Sequence, residues 1–453
     1  MKYNITELVK ILNAKKVNLI DDKYITGIAI DSRKVQPGDL FIPFLGENVD
    51  GHNYIETAFK KGAVASLSLK VNFELDKNII YVENSEKALQ TLAHHYLKSL
   101  NVKIVAITGS NGKTTTKDII SSILSTKYKV HKTAGNFNNE LGVPLTILSA
   151  PEDSDILVLE MGADNFGQLD YLSKLVEPDF TVITNIGESH IEFFKNREGI
   201  AKAKFEITNG MKKNGVFVYN GDEILIKNLI NQSNITSISC GELKSNDIIL
   251  ENYNITRKSI NFKLNISNTP FSTSLKGKHN LYNIMFAIAI SHKLGLSYSE
   301  IKNAISNIKE ITKMRLESIP YKKNSLIIND AYNASPTSMK ASIDVLNELT
   351  DFSYKTLVLG DMFELGSNEI SYHSSVGEHI TDNTKNINLV ISVGILSKNI
   401  TDNIKNTIST LHFNTTEEVT NYLKQNTHPN EVILFKASRS MKLEKIIEEL
   451  IKH

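Results

Sequence analysis

The stretch AITGSNGKTTTKDII, residues 106–120, constrains the fold of this chain more than any other. It follows the apolar run Val102-Lys103-Ile104-Val105 and reads as a buried strand, a glycine-rich turn and the opening of a helix. Backbone N–H groups across Gly109, Ser110, Asn111, Gly112, Lys113 and Thr114 are expected to turn into such a loop and cradle phosphate, helped by the positive end of the following helix. Glycine lets the backbone approach without a Cβ clash. Lys113 would neutralise the β- and γ-phosphates, and the hydroxyl of Thr114 or Thr115 would hold Mg²⁺. The usual phosphate loop has Gly, four residues, then Gly-Lys-Thr. Here only Ser110 and Asn111 separate the two glycines, and the outer glycine's slot holds Ile107.

At 453 residues the chain exceeds what one core supports, so two or three domains are expected. A net charge of +1 gives no electrostatic case for nucleic acid or a membrane surface. Positive charge is nearly all lysine; Arg33, Arg197, Arg257, Arg315 and Arg439 are the candidates for a bidentate anion clamp. Cys240 is the single cysteine, which excludes a disulfide framework and points to a reducing cytoplasm; it reads as structural. The opening MKYNITELVKILNAKK is an amphipathic helix pattern without a signal-peptide core, and no apolar run approaches a membrane span. A soluble cytoplasmic protein, without membrane insertion and monomeric, is the expectation.

Three textures divide the chain. Residues 1–83 hold the helix signal, a turn at Pro37-Gly38-Asp39, a buried-strand candidate at Leu40 to Phe44 and a helix from Tyr54 to Lys61 stopped by Gly62. From 84 to 312, short apolar runs at 102–108, 155–160 and 180–186 alternate with helical patterns, which predicts a parallel sheet. Residues 245–275 alternate polar and apolar, as antiparallel strands added to that sheet would. From 313 to 453 the runs SLIIND, KTLVLGD, NLVISVG and EVILFKA predict a second doubly wound unit. The fold class is α/β.

Ligands of open parallel sheets sit at the carboxyl ends of strands, and polar residues gather at those ends. Glu160 closes DILVLE, and His190 closes the loop 185–190 after FTVITNI; a carboxylate and an imidazole there could complete the coordination of Mg²⁺. Lys202 and Lys204, two apart in the helical EGIAKAKFEI, point in different directions, so at least one is a solvated surface lysine. In the last segment, 329–336, 360–366 and 436–439 follow strands in the same way, with helix capping by Asp, Asn and Ser as the alternative.

Taken together these stretches resemble the Mur ligases, ATP-dependent enzymes that extend the peptide of the bacterial cell-wall precursor. The resemblance covers essentially the whole chain and rests on TGSNGKTTTK, GNFNNELGVPLT, EMGA, TNIGESHIEFF, IAKAKFEI and GKHNLYNI in the centre. DAYNASPTSM, GDMFELG and FKASRSM are similar to the member that adds a terminal dipeptide; DSRKVQPGDLF and DGHNYIETAFKKGA are shared with the member acting one step earlier, which adds diaminopimelate or lysine. That earlier member is the alternative reading, and a nucleotide-dependent binding protein that is no ligase is a more distant one.

The resemblance implies a small N-terminal UDP-binding domain (1–83), a central P-loop ATP-binding domain (84–312) and a C-terminal Rossmann-like domain (313–453) that takes the dipeptide. It implies transfer of D-alanyl-D-alanine to UDP-N-acetylmuramoyl-tripeptide through an acyl phosphate, with ATP, two Mg²⁺ ions and a carbamate on Lys204. Lys113 and the loop would bind phosphates; Thr114, Glu160, His190 and carbamylated Lys204 would be metal ligands. Asn280 and Asn283 would contact the nucleotide, Arg315 the phosphates and Asp330 the ribose. Ser32 and Arg33 would grip the UDP, and Asn138, Asn139, Asn333 and Ser338 are the further substrate contacts. Two positions depart from the family pattern: Asn329 stands where a second Asp is expected, and Ser335 where YNANP would give Asn.

Overall fold

Three runs of the chain each build a sheet from short apolar strands. They are seen in a computed structural model that describes residues 1–14, 16–70, 76–256, 259–308, 312–322, 324–405 and 408–452; Arg257 falls outside these. The first sheet has five strands in the order Lys16–Asn18, Ile79–Tyr81, Ala65–Ser68, Asp39–Phe41, Gly27–Ala29, parallel except for the first pair. Its buried strand stops at Phe41, short of the expected Phe44, two residues ahead of Pro43. The N-terminal helix is also shorter than its pattern. It runs Ile5–Ile11, because Asn4 and Glu7 form a capping box that starts it and Lys16 already belongs to a strand.

The second sheet has nine strands, and its centre positions the site. Strand β1 (Lys103–Thr108) lies between β2 (Ile156–Glu160) and β3 (Phe180–Ile183). After β1 the chain runs to the edge strand Val130–Lys132, returns as β2, then crosses to the far side as β3. That reversal opens a crevice at the carboxyl ends of β1 and β3. Beyond β3 the parallel order continues through Val216–Asn220, Ser237–Gly241 and Ile248–Ile255, and Ile260–Leu264 and Phe271–Thr273 close the edge antiparallel. Val105, Ala106 and Ile107 are fully buried, as a strand covered on both faces requires.

Two helices cover one face. Helix α1 (Lys113–Leu124) buries Ile119, Ile120, Ile123 and Leu124, and α3 (His279–Lys293) packs on it with Leu281 and Ile284 to Ile290 buried. Helix α2 (Arg197–Phe205) lies on the other side with Ile200, Ala201 and Ala203 buried. Each large aliphatic side chain removed from water contributes about 1.5–3 kcal/mol.

The third sheet has six strands: Glu317–Tyr321 antiparallel to β4 (Ser325–Asn329), then β6 (Glu431–Lys436), β5 (Tyr354–Gly360), Leu389–Val393 and Ser409–Phe413, all parallel. Helix α4 (Pro336–Glu348) follows β4, and α5 (Glu369–Asn383) follows β5. No helix among the described residues is long and apolar enough to cross a membrane.

Candidate functional site

Ile107 explains the short phosphate loop. It is a buried residue within β1, which continues to Thr108, so the strand occupies the outer glycine's slot and the turn is correspondingly tighter. Gly109 (φ 150°) and Gly112 (φ 79°) supply the turn. A Cβ on Gly109 would lie 1.8 Å from Thr184 Oγ1, and one on Gly112 would lie 2.9 Å from Asn283 Oδ1.

The loop exiting β3 is laced into this turn. Ser110 N–H donates to the Asn185 carbonyl (3.1 Å) and Asn111 N–H to Asn185 Oδ1 (2.8 Å), while the Thr184 hydroxyl donates to the Asn111 carbonyl (2.5 Å). The expectation that every N–H from Gly109 to Thr114 faces phosphate is therefore corrected. Two are engaged by Asn185, and the donors left without intrahelical partners lie at the start of α1, from Lys113 to Thr115. Lys113 Nζ folds back to donate to the Gly109 carbonyl (2.7 Å). Burial lowers this ammonium below its ordinary range; the nearby Glu160 carboxylate raises it, and Arg315 lowers it further.

Arg315 enters from the C-terminal part. Its Nη2 donates to Thr114 Oγ1 (3.0 Å), and its guanidinium lies over the Tyr332 ring (4.3 Å). Thus the arginine and the threonine that the family resemblance assigned separately are in contact. Asn283 donates to Asn280 Oδ1 (2.9 Å) and Asn280 to the Lys276 carbonyl (2.7 Å); both amides are buried, and Asn283 lies against the loop at Gly112.

Glu160 is buried at the end of β2, its own N–H bonded to Thr133 Oγ1 (2.9 Å). Oε1 accepts from Asn138 Nδ2 (2.9 Å), but Oε2 is buried without any partner. A carboxylate oxygen held that way fits a cation. Among the described residues no group of three or more His, Cys, Asp and Glu is gathered to hold a metal ion. Mg²⁺ suits so sparse a set, since it keeps waters and takes phosphate oxygens alongside one or two protein ligands.

His190 has left-handed backbone (φ 61°), and its Nδ1 lies 2.6 Å from Glu364 Oε2. That contact holds Glu364 below the usual carboxylate range, partly opposed by burial. The two lysines of α2 separate cleanly: Lys202 is exposed, whereas Lys204 is 2% exposed. Lys204 makes no hydrogen bond or ion pair among the described residues, and burial, with Lys113's charge adding, pulls it well below the ordinary lysine range.

Other anticipated residues are engaged locally. Asp330 Oδ1 accepts from Leu316 N–H (3.1 Å), and its Oδ2 accepts from Ser342 and from the buried Lys436, both at 2.6 Å. Ser338 forms a capping box with Ser335 at the start of α4, as the capping alternative has it, and Asn333 is exposed. Ser335, the residue standing in for Asn, donates to Asn111 Oδ1 (3.2 Å) and so touches the phosphate loop. Asn329 accepts from Ala331 N–H and donates to Glu317. Asn139 Oδ1 accepts from the N–H of Gly142 (2.9 Å), the first residue of the helix Gly142–Leu148. Ser32 is buried, and the exposed Arg33 is paired with Asp31, whose carboxyl it pulls down to about 2.

Pattern reading passed over Glu188, His373 and Thr184. His373 is fully buried, accepts from Met362 N–H (2.9 Å) and holds the 361–364 loop that carries Glu364. Its one sequence signal is a histidine on the apolar face of the helix after GDMFELG.

This geometry has relatives. Residues 24–97, 107–291 and 314–439 match the models of the Mur ligase family catalytic domain, the Mur ligase middle domain and the Mur ligase glutamate ligase domain. The UDP-N-acetylmuramoyl-tripeptide–D-alanyl-D-alanine ligase of Bacillus subtilis is 42% identical, over 99% of this chain and 97% of its own length. The enzyme of the same name from Escherichia coli is 32% identical over 98% of each. MurF from Acinetobacter baumannii superposes with a TM-score of 0.92 at 27% identity, covering 100% of this chain and 99% of that one. MurF ligase from Thermotoga maritima, solved in complex with ADP, has a TM-score of 0.84 at 29% identity, covering 94% and 97%.

Proposed function

The chain belongs to the Mur ligase family, and from that premise we propose that it joins D-alanyl-D-alanine to UDP-N-acetylmuramoyl-tripeptide at the expense of ATP. The observation that carries this reading is the full-length identity to enzymes of that name, together with Lys113, Glu160 and Arg315 converging on one phosphate loop.

A carboxylate is a poor acyl donor. One oxygen of the tripeptide's terminal carboxylate attacks the γ-phosphorus of ATP, the bond to the β-phosphate oxygen breaks, and ADP leaves. The dipeptide amine then attacks the acyl carbon, loses a proton, and expels inorganic phosphate. Both steps spread negative charge over phosphoryl and carbonyl oxygens, which is the charge that preorganised cations stabilise.

Lys113 would swing from the Gly109 carbonyl to the β- and γ-phosphates, and the free N–H groups opening α1 would hold them. Arg315 would bridge Thr114 to the transferring phosphoryl group, stiffened by its stacking on Tyr332. Glu160, Thr114 and His190 would hold Mg²⁺, which supplies charge neutralisation when bound. Burial pulls Lys204 toward its neutral amine, whose nitrogen lone pair would add to CO₂ with loss of one proton to solvent; the resulting carbamate would be an anion able to hold a second metal ion. Asn280 and Asn283 would contact the base and Asp330 the ribose. Ser32 and Arg33 would contact UDP, with Asn138, Asn139, Asn333 and Ser338 along the peptide and dipeptide.

We assign 1–83 to the UDP-sugar-peptide, 84–312 to ATP and 313–453 to the dipeptide, and place the protein in the cytoplasm as a monomer that acts without nucleic acid. Purified protein should release phosphate from ATP only when both UDP-muramoyl-tripeptide and D-alanyl-D-alanine are present. Equal turnover with diaminopimelate and the dipeptide precursor would transfer the assignment to the preceding ligase.

A further inference from the structure

Helix α4 leaves its first donors unequally served. Ser335 caps Ser338 N–H (3.4 Å), and Pro336 has no N–H. That leaves Thr337, and its N–H is answered from another part of the molecule. Glu188 Oε2 accepts it at 3.1 Å and accepts the Thr337 hydroxyl at 2.5 Å, across 149 residues of sequence. Glu188 sits on the loop leaving β3, one residue after Gly187. A Cβ on Gly187 would lie 3.2 Å from Asn111 Nδ2, 3.3 Å from Thr337 Oγ1 and 3.4 Å from Ser110 Cβ, so the backbone there is wedged between the phosphate loop and α4. Beside it, Ser335 donates to Asn111 Oδ1 (3.2 Å).

We infer that Glu188 is a positioning residue: a helix cap supplied in trans, which latches the C-terminal part onto the phosphate loop. A carboxylate at a helix N-terminus gains from both the orphan N–H and the helix dipole. The same C-terminal part carries Arg315 and Glu364, so making the cap sets Arg315 on Thr114 and Glu364 on His190 together. The latch joins residues 149 apart and so acts only where the two parts meet. Its kinetic consequence rests on the ligase reading above; the geometric one does not.

The test uses the full chain with Glu188→Ala, Glu188→Gln, Thr337→Val and the Glu188→Ala/Thr337→Val pair. Fluorophores are attached at cysteines replacing the exposed Lys244 and Glu417, since Cys240 is buried. With ATP present, Glu188→Ala should lengthen the label distance and lower kcat/KM for the dipeptide roughly five- to thirty-fold, the size of a lost cap. ATP affinity should fall by less than kcat/KM, since Arg315 is only one of several phosphate contacts, and the melting midpoint should stay as in the wild type. Glu188→Gln, whose amide oxygen still accepts, should recover most of the loss. Thr337→Val should add little on top of Glu188→Ala.

An unchanged distance and unchanged kcat/KM in Glu188→Ala would overturn the proposal. So would a loss that Gln fails to rescue, or one that comes with equally weakened ATP binding. A wild-type protein that does not ligate refutes the ligase reading instead, and the distance measurement still decides the latch.

Discussion

Lys202 and Lys204 show what a residue's neighbours add to its type. Helical geometry alone separates the two directions without saying which lysine points inward; Ile200, Ala201 and Ala203 bury the face that Lys204 shares, and Lys202 is left in water. An isolated buried ammonium is costly, so burial pushes the amine toward its neutral form. Neutral nitrogen is what CO₂ requires. Replacing Lys204 with Ala should cut ligation by about 10²–10³-fold, the usual cost of losing one group aimed at transition-state charge, with partial recovery in added acetate or formate. Lys204→Arg, which keeps its charge, should be as inactive and resist that rescue. Full activity in Lys204→Ala would remove the carbamate from the mechanism. By contrast, the partner of Asp330 was hidden from the sequence: Lys436 lies 106 positions away, and a hydrogen bond of that span leaves no spacing signal. The bonds of Asn139 and Ser338 span three residues and follow the capping pattern that the sequence offers.

Among elements, strands buried on both faces were the most legible. KIVAIT, ILVLE and FTVI are continuous apolar runs, and each ends where a polar cluster begins. Element ends were less so, because they depend on caps: Asn4 trims the first helix, and Ser335 with Pro336 starts α4. The phosphate loop stands between these cases. Its glycines and lysine are plain in the sequence, but its partner loop from β3 is 74 residues away and takes two of its N–H groups. This junction predicts a sharp cost for one methyl group. Gly109→Ala places Cβ against Thr184 Oγ1, so the hydroxyl that holds the Asn111 carbonyl must move. Overpacking of that kind costs about 1–3 kcal/mol, and nucleotide affinity should fall with it. Gly167→Ala, at φ 87° but with nothing within 4 Å of its Cβ, is the control: it should lose some stability and keep nucleotide affinity. Equal nucleotide affinity in Gly109→Ala and the wild type, by titration calorimetry, would mean that the β3 loop does not shape the site.

At the scale of the molecule, side chains cross between the sheets, Arg315 to Thr114 and Glu364 to His190 among them, and three histidines lie in wholly or partly buried surroundings. His131, His279 and His373 are all lowered by burial, with His373 also locked into one tautomer: Nδ1–H donates to the Glu369 carbonyl (2.7 Å) while Nε2 accepts from Met362 (2.9 Å). The sign of the pH dependence follows. An unfolded histidine takes up a proton near pH 6.5, and a folded one whose value is depressed does not, so below that pH the unfolded chain binds more protons and gains free energy. Stability is therefore full above about pH 6.5 and falls as the pH drops toward the depressed values, by at most about 1.4 kcal/mol per pH unit for each histidine. Paired carboxylates such as Glu364 and Asp179, lowered by their partners, add their own losses only at more acid pH. Urea midpoints measured at pH 7.5, 6.5 and 5.5 should decline across that range. His373→Gln, which cannot titrate, should lower the midpoint at pH 7.5 yet decline less steeply. A His373→Gln slope equal to the wild type's would show that His373 takes up its proton in the folded state, and that the 361–364 loop is held by something other than a neutral imidazole.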